Sequence, residues 1–258
     1  MKKIRNTNID VIKGLCILMV VAIHAISTSY YDSFAGYTIR NIFNCAVPIF
    51  LGISAYLTSK VPDNTNSYKI FLSTRCTRLY IPTLFWSIPF LVQSIYLGKN
   101  SIEIELIKFF ICGYSIYYFI AVLLQYNILI IPMNYLAKNR KGVAFSFIVS
   151  IISILFVTYI LHFLNISLPL IIYAGFFPLW MVFFVFGLYL RKYNLFSLKI
   201  SFIAAIITLL ISTIETYIYS SGFENIKGGG IKLSSFLFSF CMLQLAIHWI
   251  KSFNPNSC

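Results

Sequence analysis

Residues 5–24 read RNTNIDVIKGLCILMVVAIH, and this stretch decides the fold. From Ile9 onward it is apolar enough to enter a bilayer. It must do so as a helix, because only a helix or a closed barrel satisfies its own backbone polar groups in hydrocarbon. Two ionisable side chains, Lys13 and His24, interrupt the run. Such groups cost about 3 kcal/mol or more in lipid unless they face protein or a wet cavity. Their eleven-residue separation corresponds to roughly 16 Å of helix, about half a hydrocarbon core. It also closes to within about 20° of three full turns, so both lie on one face. One polar stripe therefore runs from one side of the membrane past its middle. That layout can admit a charged reagent at one face and react it near the centre.

The rest of the chain extends this reading. Of 258 residues, 59% are hydrophobic and only 10% charged, against about 25% charged in soluble domains. The expectation is an all-α, polytopic transmembrane helix bundle forming a single domain over residues 1–258. A cleaved signal peptide does not fit, because the first apolar run is too long and no soluble chain follows it. Runs long enough to span, at about 20 residues each, occur at Ile9–Thr28, Ile39–Thr58, Leu79–Leu97, Tyr114–Leu136, Val143–Leu164, Leu168–Leu190, Leu198–Ser220 and Leu233–Ile250. Eight spans are expected. Residues 102–112 are apolar but short and carry Glu103, Glu105 and Lys108, which predicts an interfacial helix.

Charge sets the orientation. With a cytoplasmic N-terminus, alternate loops hold fifteen Lys and Arg on the cytoplasmic side and five outside, which follows the positive-inside rule. The net charge of +13 is thereby explained by topology, and no nucleic-acid partner is expected. The six cysteines show no CxxC and no metal-ligand spacing, so no metal site is expected. The glycine triplet at 228–230 reads as a turn before the last span.

Several polar residues could carry chemistry. A neutral imidazole at His24 can take a proton from a hydroxyl or receive an acyl group; the plainer role is a hydrogen bond to a neighbouring helix. Lys13 could meet an anion or snorkel to the headgroups, with Asp10 within pairing reach one turn earlier. Arg75 and Arg78, three apart on one helix face, fall on the same side as Lys13. Arginine forks suit phosphate oxygens, though such pairs also serve as membrane anchors. Together the three cations could hold a polyphosphorylated co-substrate whose reactive end reaches His24. Glu215, near the outer end of the seventh span, is a functional candidate as an intramembrane acid. Tyr114, Tyr117 and Tyr118 open the fourth span as an aromatic belt, and Tyr118 could stack on a sugar. Gln125 and Asn127 are expected to bond other helices.

These residues in this order resemble the integral-membrane acyltransferase 3 family. NIDVIKGLCILMVVAIH is similar to that family's first helix, with its basic residue, ten residues and histidine; here the pair is Lys13 and His24, with lysine where the family usually has arginine. VPIFLGISAYLTSK from Val47 resembles the second-helix signature, with Ser54-Ala55 where many members have Ser-Gly. Arg75 and Arg78 with Pro82 and Trp86 resemble the arginine pair and the start of the third helix. YYFIAVLLQYNIL from Tyr117 and FPLWMVFFVFGLYL from Phe177 resemble later helices. Family members generally have ten helices, so the resemblance implies a form short of the last ones.

The resemblance implies an O-acyltransferase of the bacterial inner membrane. It would move an acyl group, commonly acetyl, from cytoplasmic acyl-CoA (acetyl-CoA) to a hydroxyl of a lipid-linked or surface carbohydrate such as O-antigen, capsule or exopolysaccharide. His24 would be the catalytic residue, Lys13, Arg75 and Arg78 would hold the donor, and Glu215 and Tyr118 would touch the acceptor. A glycan-precursor transporter or flippase, or an inactive short member of the family, are the alternatives. A transporter would fit inverted repeats with paired broken helices, and neither is visible in the sequence.

Overall fold

The computed structural model describes residues 7–26, 33–58, 60–98, 100–114, 117–164, 166, 173–193, 197–219 and 231–252. Lys2, Lys3, Arg5, Lys99, Lys227, the glycine triplet 228–230 and Cys258 lie outside the described residues, as does the first part of the sixth expected span.

Every regular element among the described residues is helical. In chain order these are α1 (Thr7–Ala25), α2 (Phe34–Asn44), α3 (Ala46–Tyr56), α4 (Thr65–Arg75), α5 (Ile81–Tyr96), α6 (Ile102–Phe110), α7 (Tyr118–Ile128), α8 (Ile130–Leu136), α9 (Arg140–Ile154), the single turn α10 (Leu161–Phe163), α11 (Met181–Leu190), α12 (Leu198–Tyr219) and α13 (Leu233–Ser252). Helices α2 and α3 run together as one span, Phe34–Tyr56. So do α4 and α5, joined through a π-helical turn at Cys76–Tyr80 into a 32-residue helix.

Among the described residues six helices are long and apolar enough to cross a membrane. The fourth expected span is α7 and α8, bent by 78° at their junction. The sixth is a shorter apolar helix, Phe177–Leu190. Among the described residues each expected segment contributes helix, but the fourth is bent and the sixth contributes it in its second part, from Phe177. The protein is a multi-pass, all-α membrane bundle.

A helix that is apolar all round belongs inside the bundle, and α11 fits that rule: all ten of its residues are buried. It packs against α3 and α9. Aromatic rings fill the space around it. Phe184 stacks on Tyr126 at 4.6 Å, and Phe186 on Phe240 at 4.3 Å. The outer helices expose large apolar side chains instead, such as Leu15 and Leu18 of α1, Phe85 and Val92 of α5, and Ile203 and Leu210 of α12. On a membrane protein this apolar rind is the lipid contact.

The third span starts much earlier than its hydropathy suggests. α4 is polar, but Asn64 caps it: its side chain accepts from the Ser67 amide at 2.8 Å, and Ser67 returns the bond to the Asn64 backbone amide at 3.1 Å. In this reciprocal box both side-chain oxygens accept, and two of the orphan amide donors at the helix start are satisfied. Arg75 and Arg78 therefore lie inside a long helix and not at its beginning.

At the end of the bundle that holds the last turn of α1, a buried polar network ties α2, α12 and α13. Lys232, fully buried, donates to Asn41 Oδ1 at 2.8 Å and to Thr216. The Ser212 and Ser235 hydroxyls meet at 2.9 Å. Glu215 accepts from the Tyr159 and Ser234 hydroxyls.

The expected interfacial helix is α6. Its Glu105 is buried and accepts from Asn100 at 2.6 Å and Lys108 at 2.9 Å. Burial alone would raise this carboxyl, but the bonds from Lys108 and Asn100 outweigh it and hold it below the usual carboxylate range. A carboxyl depressed in the folded state adds stability above its unfolded pKa of about 4.3 and loses it as pH falls through the folded value. Glu105→Gln should therefore speed amide exchange in α6 at neutral pH by about tenfold, the worth of a charged hydrogen bond. The wild type should show comparable loosening only below about pH 4. Equal exchange in both proteins at neutral pH would count against the anchor.

Candidate active site

His24 stands in the last turn of α1 and is exposed on the bundle. Its ring opens into a cleft of about 560 Å³ between α1, α3 and the start of α7. Val20 and Val21 from α1, Ala46, Val47 and Phe50 from α3, and Phe119 from α7 make its walls apolar. The imidazole, the Tyr117 hydroxyl and the Cys16 thiol are the polar side chains among the described lining residues. Tyr117 is held by its own contacts, its ring edge-on to Phe90 at 5.8 Å and its hydroxyl donating to the Trp86 carbonyl at 3.4 Å. Beside the cleft, Arg40 of α2 donates to the carbonyl of Ile23 at 3.1 Å. A cation thus sits one residue from the imidazole.

The other end of α1 meets a cluster of cations. Lys13 is half-buried, within electrostatic range of Asp10 and Arg75. Arg75 reaches inward to donate to the Thr58 hydroxyl at 3.3 Å, and its guanidinium lies 5.1 Å from the centre of the Phe71 ring. Arg191, just past α11, donates to the Thr58 carbonyl at 2.7 Å. Two arginines converge on the carbonyl end of α3, where positive charge is favoured. Arg78, within the π turn, is exposed. π turns recur at functional sites, and this one sets Arg75 inward and Arg78 outward.

The structure thus brings Lys13 and Arg75 together and adds Arg191, which in the sequence reads only as a loop charge. Among the remaining candidates, Tyr118 and Glu215 do not line the His24 cleft. Tyr118 packs against Trp180 and Phe119, with ring centres 6.4 and 6.5 Å away, and does not line the cleft; Tyr117 occupies that place. Glu215 belongs to the Lys232 network. Gln125 does bond another element, donating to the Gly175 carbonyl at 2.7 Å and accepting from the Phe177 amide. Asn127 turns back onto the Leu123 carbonyl of its own helix. Cys76 is exposed, unlike the buried Cys16, Cys45 and Cys112.

The arrangement can do two things. An imidazole at the mouth of an apolar cleft can move a proton at a bound hydroxyl or accept an acyl group. A cation cluster at the far end of the same helix can hold anionic groups. No curated protein and no solved structure matches the chain. The family model described as an acyltransferase domain matches residues 6–257, essentially the whole chain, and the protein is a membrane acyltransferase of the acyltransferase 3 family.

Proposed function

We propose that this acyltransferase moves an acyl group, commonly acetyl, from cytoplasmic acyl-CoA to a hydroxyl of a lipid-linked or surface carbohydrate. The observation that carries the reading is the two-ended layout of α1. His24 faces the cleft at one end, and Lys13 joins Arg75 and Arg191 at the other. The separation of Lys13 and His24, roughly 16 Å along a helix, suits a long donor with phosphates at one end and a thioester at the other.

In this reading the cations hold the donor phosphates, and the apolar cleft takes the acyl end and keeps water from it. His24 removes the proton from the acceptor hydroxyl as the oxygen attacks the thioester carbonyl. The carbon–sulfur bond breaks, and the proton passes to the departing thiolate. The first test is to incubate membranes bearing the protein with radiolabelled acetyl-CoA and the host glycan. Label in an alkali-labile glycan ester is expected. Labelled donor recovered intact, with no glycan ester, would overturn the reading.

Lys13 separates donor binding from simple anchoring. Lys13→Arg keeps the charge, so acyl-CoA binding should hold or rise. Lys13→Met keeps most of the apolar stem and removes the charge. Losing a charged hydrogen bond should weaken donor binding by about tenfold or more. Binding by detergent-purified Lys13→Met that equals wild type would assign this lysine to the headgroups alone.

A further inference from the structure

A second recess lies away from the His24 cleft, at the end of the bundle that holds Lys13 and Arg75. Lys138, Arg140 and Lys192 border an open pocket of about 520 Å³, together with Asn139, Tyr189 and Tyr193. No acid lines it, and none of the three cations makes an ion pair among the described residues. The recess is also bordered by the start of α9, where Asn139 caps the Gly142 amide at 2.8 Å, so the positive end of that helix adds to the field. The two tyrosine rings lie 5.0 Å apart and close one side.

Three unneutralised cations in one recess call for an anion. What lies beside them indicates its kind. The Tyr135 ring is 70% exposed and sits 5.3 Å from the Lys138 ammonium. From the same end α9 runs on with Phe145, Ile148 and Ile152, each more than half exposed. A basic recess at the start of a helix with an exposed apolar face matches an anionic head joined to acyl chains. A soluble anion would use the recess and leave that face bare. We propose that this recess binds the phosphate of an anionic phospholipid headgroup, with the acyl chains lying along Tyr135 and the outer face of α9. Basic pockets between membrane helices recognise such headgroups by charge. Lipid binding here is independent of acyl transfer at His24.

The test uses the full chain purified in neutral detergent, with thermal unfolding as the readout. Phosphatidylglycerol should raise the midpoint of the wild type well above the effect of phosphatidylcholine. The variant Lys138→Gln/Arg140→Gln/Lys192→Gln should keep its midpoint in phosphatidylcholine and lose the phosphatidylglycerol increment. Affinity should fall about fivefold for each charge removed. Millimolar inorganic phosphate should give no comparable increment. An undiminished increment in the triple variant would overturn the proposal. So would an equal increment from inorganic phosphate, which would assign the recess to a soluble anion. Should the triple variant not fold, the single reversal Lys192→Glu at an exposed position decides the matter: a reduced increment supports the site and an unchanged one refutes it.

Discussion

Replacing His24 with alanine is expected to lower acyl transfer by about 10²–10⁴-fold, the usual worth of a positioned general base, without lowering the amount of inserted protein. Both halves of the expectation come from where the side chain sits. The ring lines the cleft and is exposed, so its removal opens no cavity in the packed interior. α1 is seated on the bundle through Ile12 and Cys16, its buried residues, and both lie away from the last turn. Acyl transfer measured with radiolabelled acetyl-CoA, beside an immunoblot of the membrane fraction, reads the two effects separately. Near-normal transfer would reduce His24 to a residue of the cleft wall. A loss of protein with unchanged transfer per molecule would make it a packing histidine. His24→Gln refines the result, because glutamine retains hydrogen bonding but cannot take up a proton near neutral pH; it should be nearly as impaired as alanine.

The spans were legible because lipid imposes a simple demand: about 20 apolar residues with their backbone bonds closed internally. What hydropathy could not convey was where helices extend into polar sequence or break inside apolar sequence. TNSYKIFLSTR, from Thr65, is too polar to read as a membrane span, yet it is helical. Its signals were local: Asn64 three residues before Ser67, and a short stripe of Tyr68, Phe71 and Leu72, of which Tyr68 and Phe71 pack against the core. The 78° bend between α7 and α8 lies within a continuous apolar run, and Pro132 was the one mark near it.

The site was legible in part for similar reasons. Charge alternation put Lys13 and Arg75 on one side of the membrane, and the structure brings them together. Arg191 gave no sign of a site because an arginine after a span usually anchors it; its bond to Thr58 joins residues far apart in the chain. The choice between Tyr117 and Tyr118 turns on helix phase. α7 begins only at Tyr118, so the preceding residues gave no periodicity from which to judge which ring meets the cleft. Lys232 read as a loop charge because its partners, Asn41 and Thr216, come from two other helices.

Gly187→Ala should damage the fold more than its single methyl suggests. A Cβ at this position would stand 2.1 Å from the Gly52 carbonyl oxygen and 2.9 Å from the Gly52 Cα. Both are backbone atoms, which no rotamer change can move aside. The helices must separate, and α11 is enclosed along its whole length. Overpacking a tight interior costs about 1–3 kcal/mol and occasionally more, and a backbone collision puts this case at the upper end. Gly52→Ala should be milder, because its nearest neighbours are the Leu243 side-chain carbons at 2.3 and 2.5 Å, and a leucine can turn. Gly14→Ala is the control, since nothing lies within 4 Å of its Cβ position and alanine favours a helix over glycine by about 1 kcal/mol. Thermal unfolding in one detergent should rank the variants Gly14→Ala, Gly52→Ala, Gly187→Ala from most to least stable. Any Gly187→Ala that does fold should also transfer acyl groups more slowly, because α3 supplies Ala46, Val47 and Phe50 to the His24 cleft and must shift to admit the methyl. Wild-type stability and rate in Gly187→Ala would show that α3 and α11 do not touch backbone to backbone at Gly52, and the helix register that builds the cleft wall would fall with that contact.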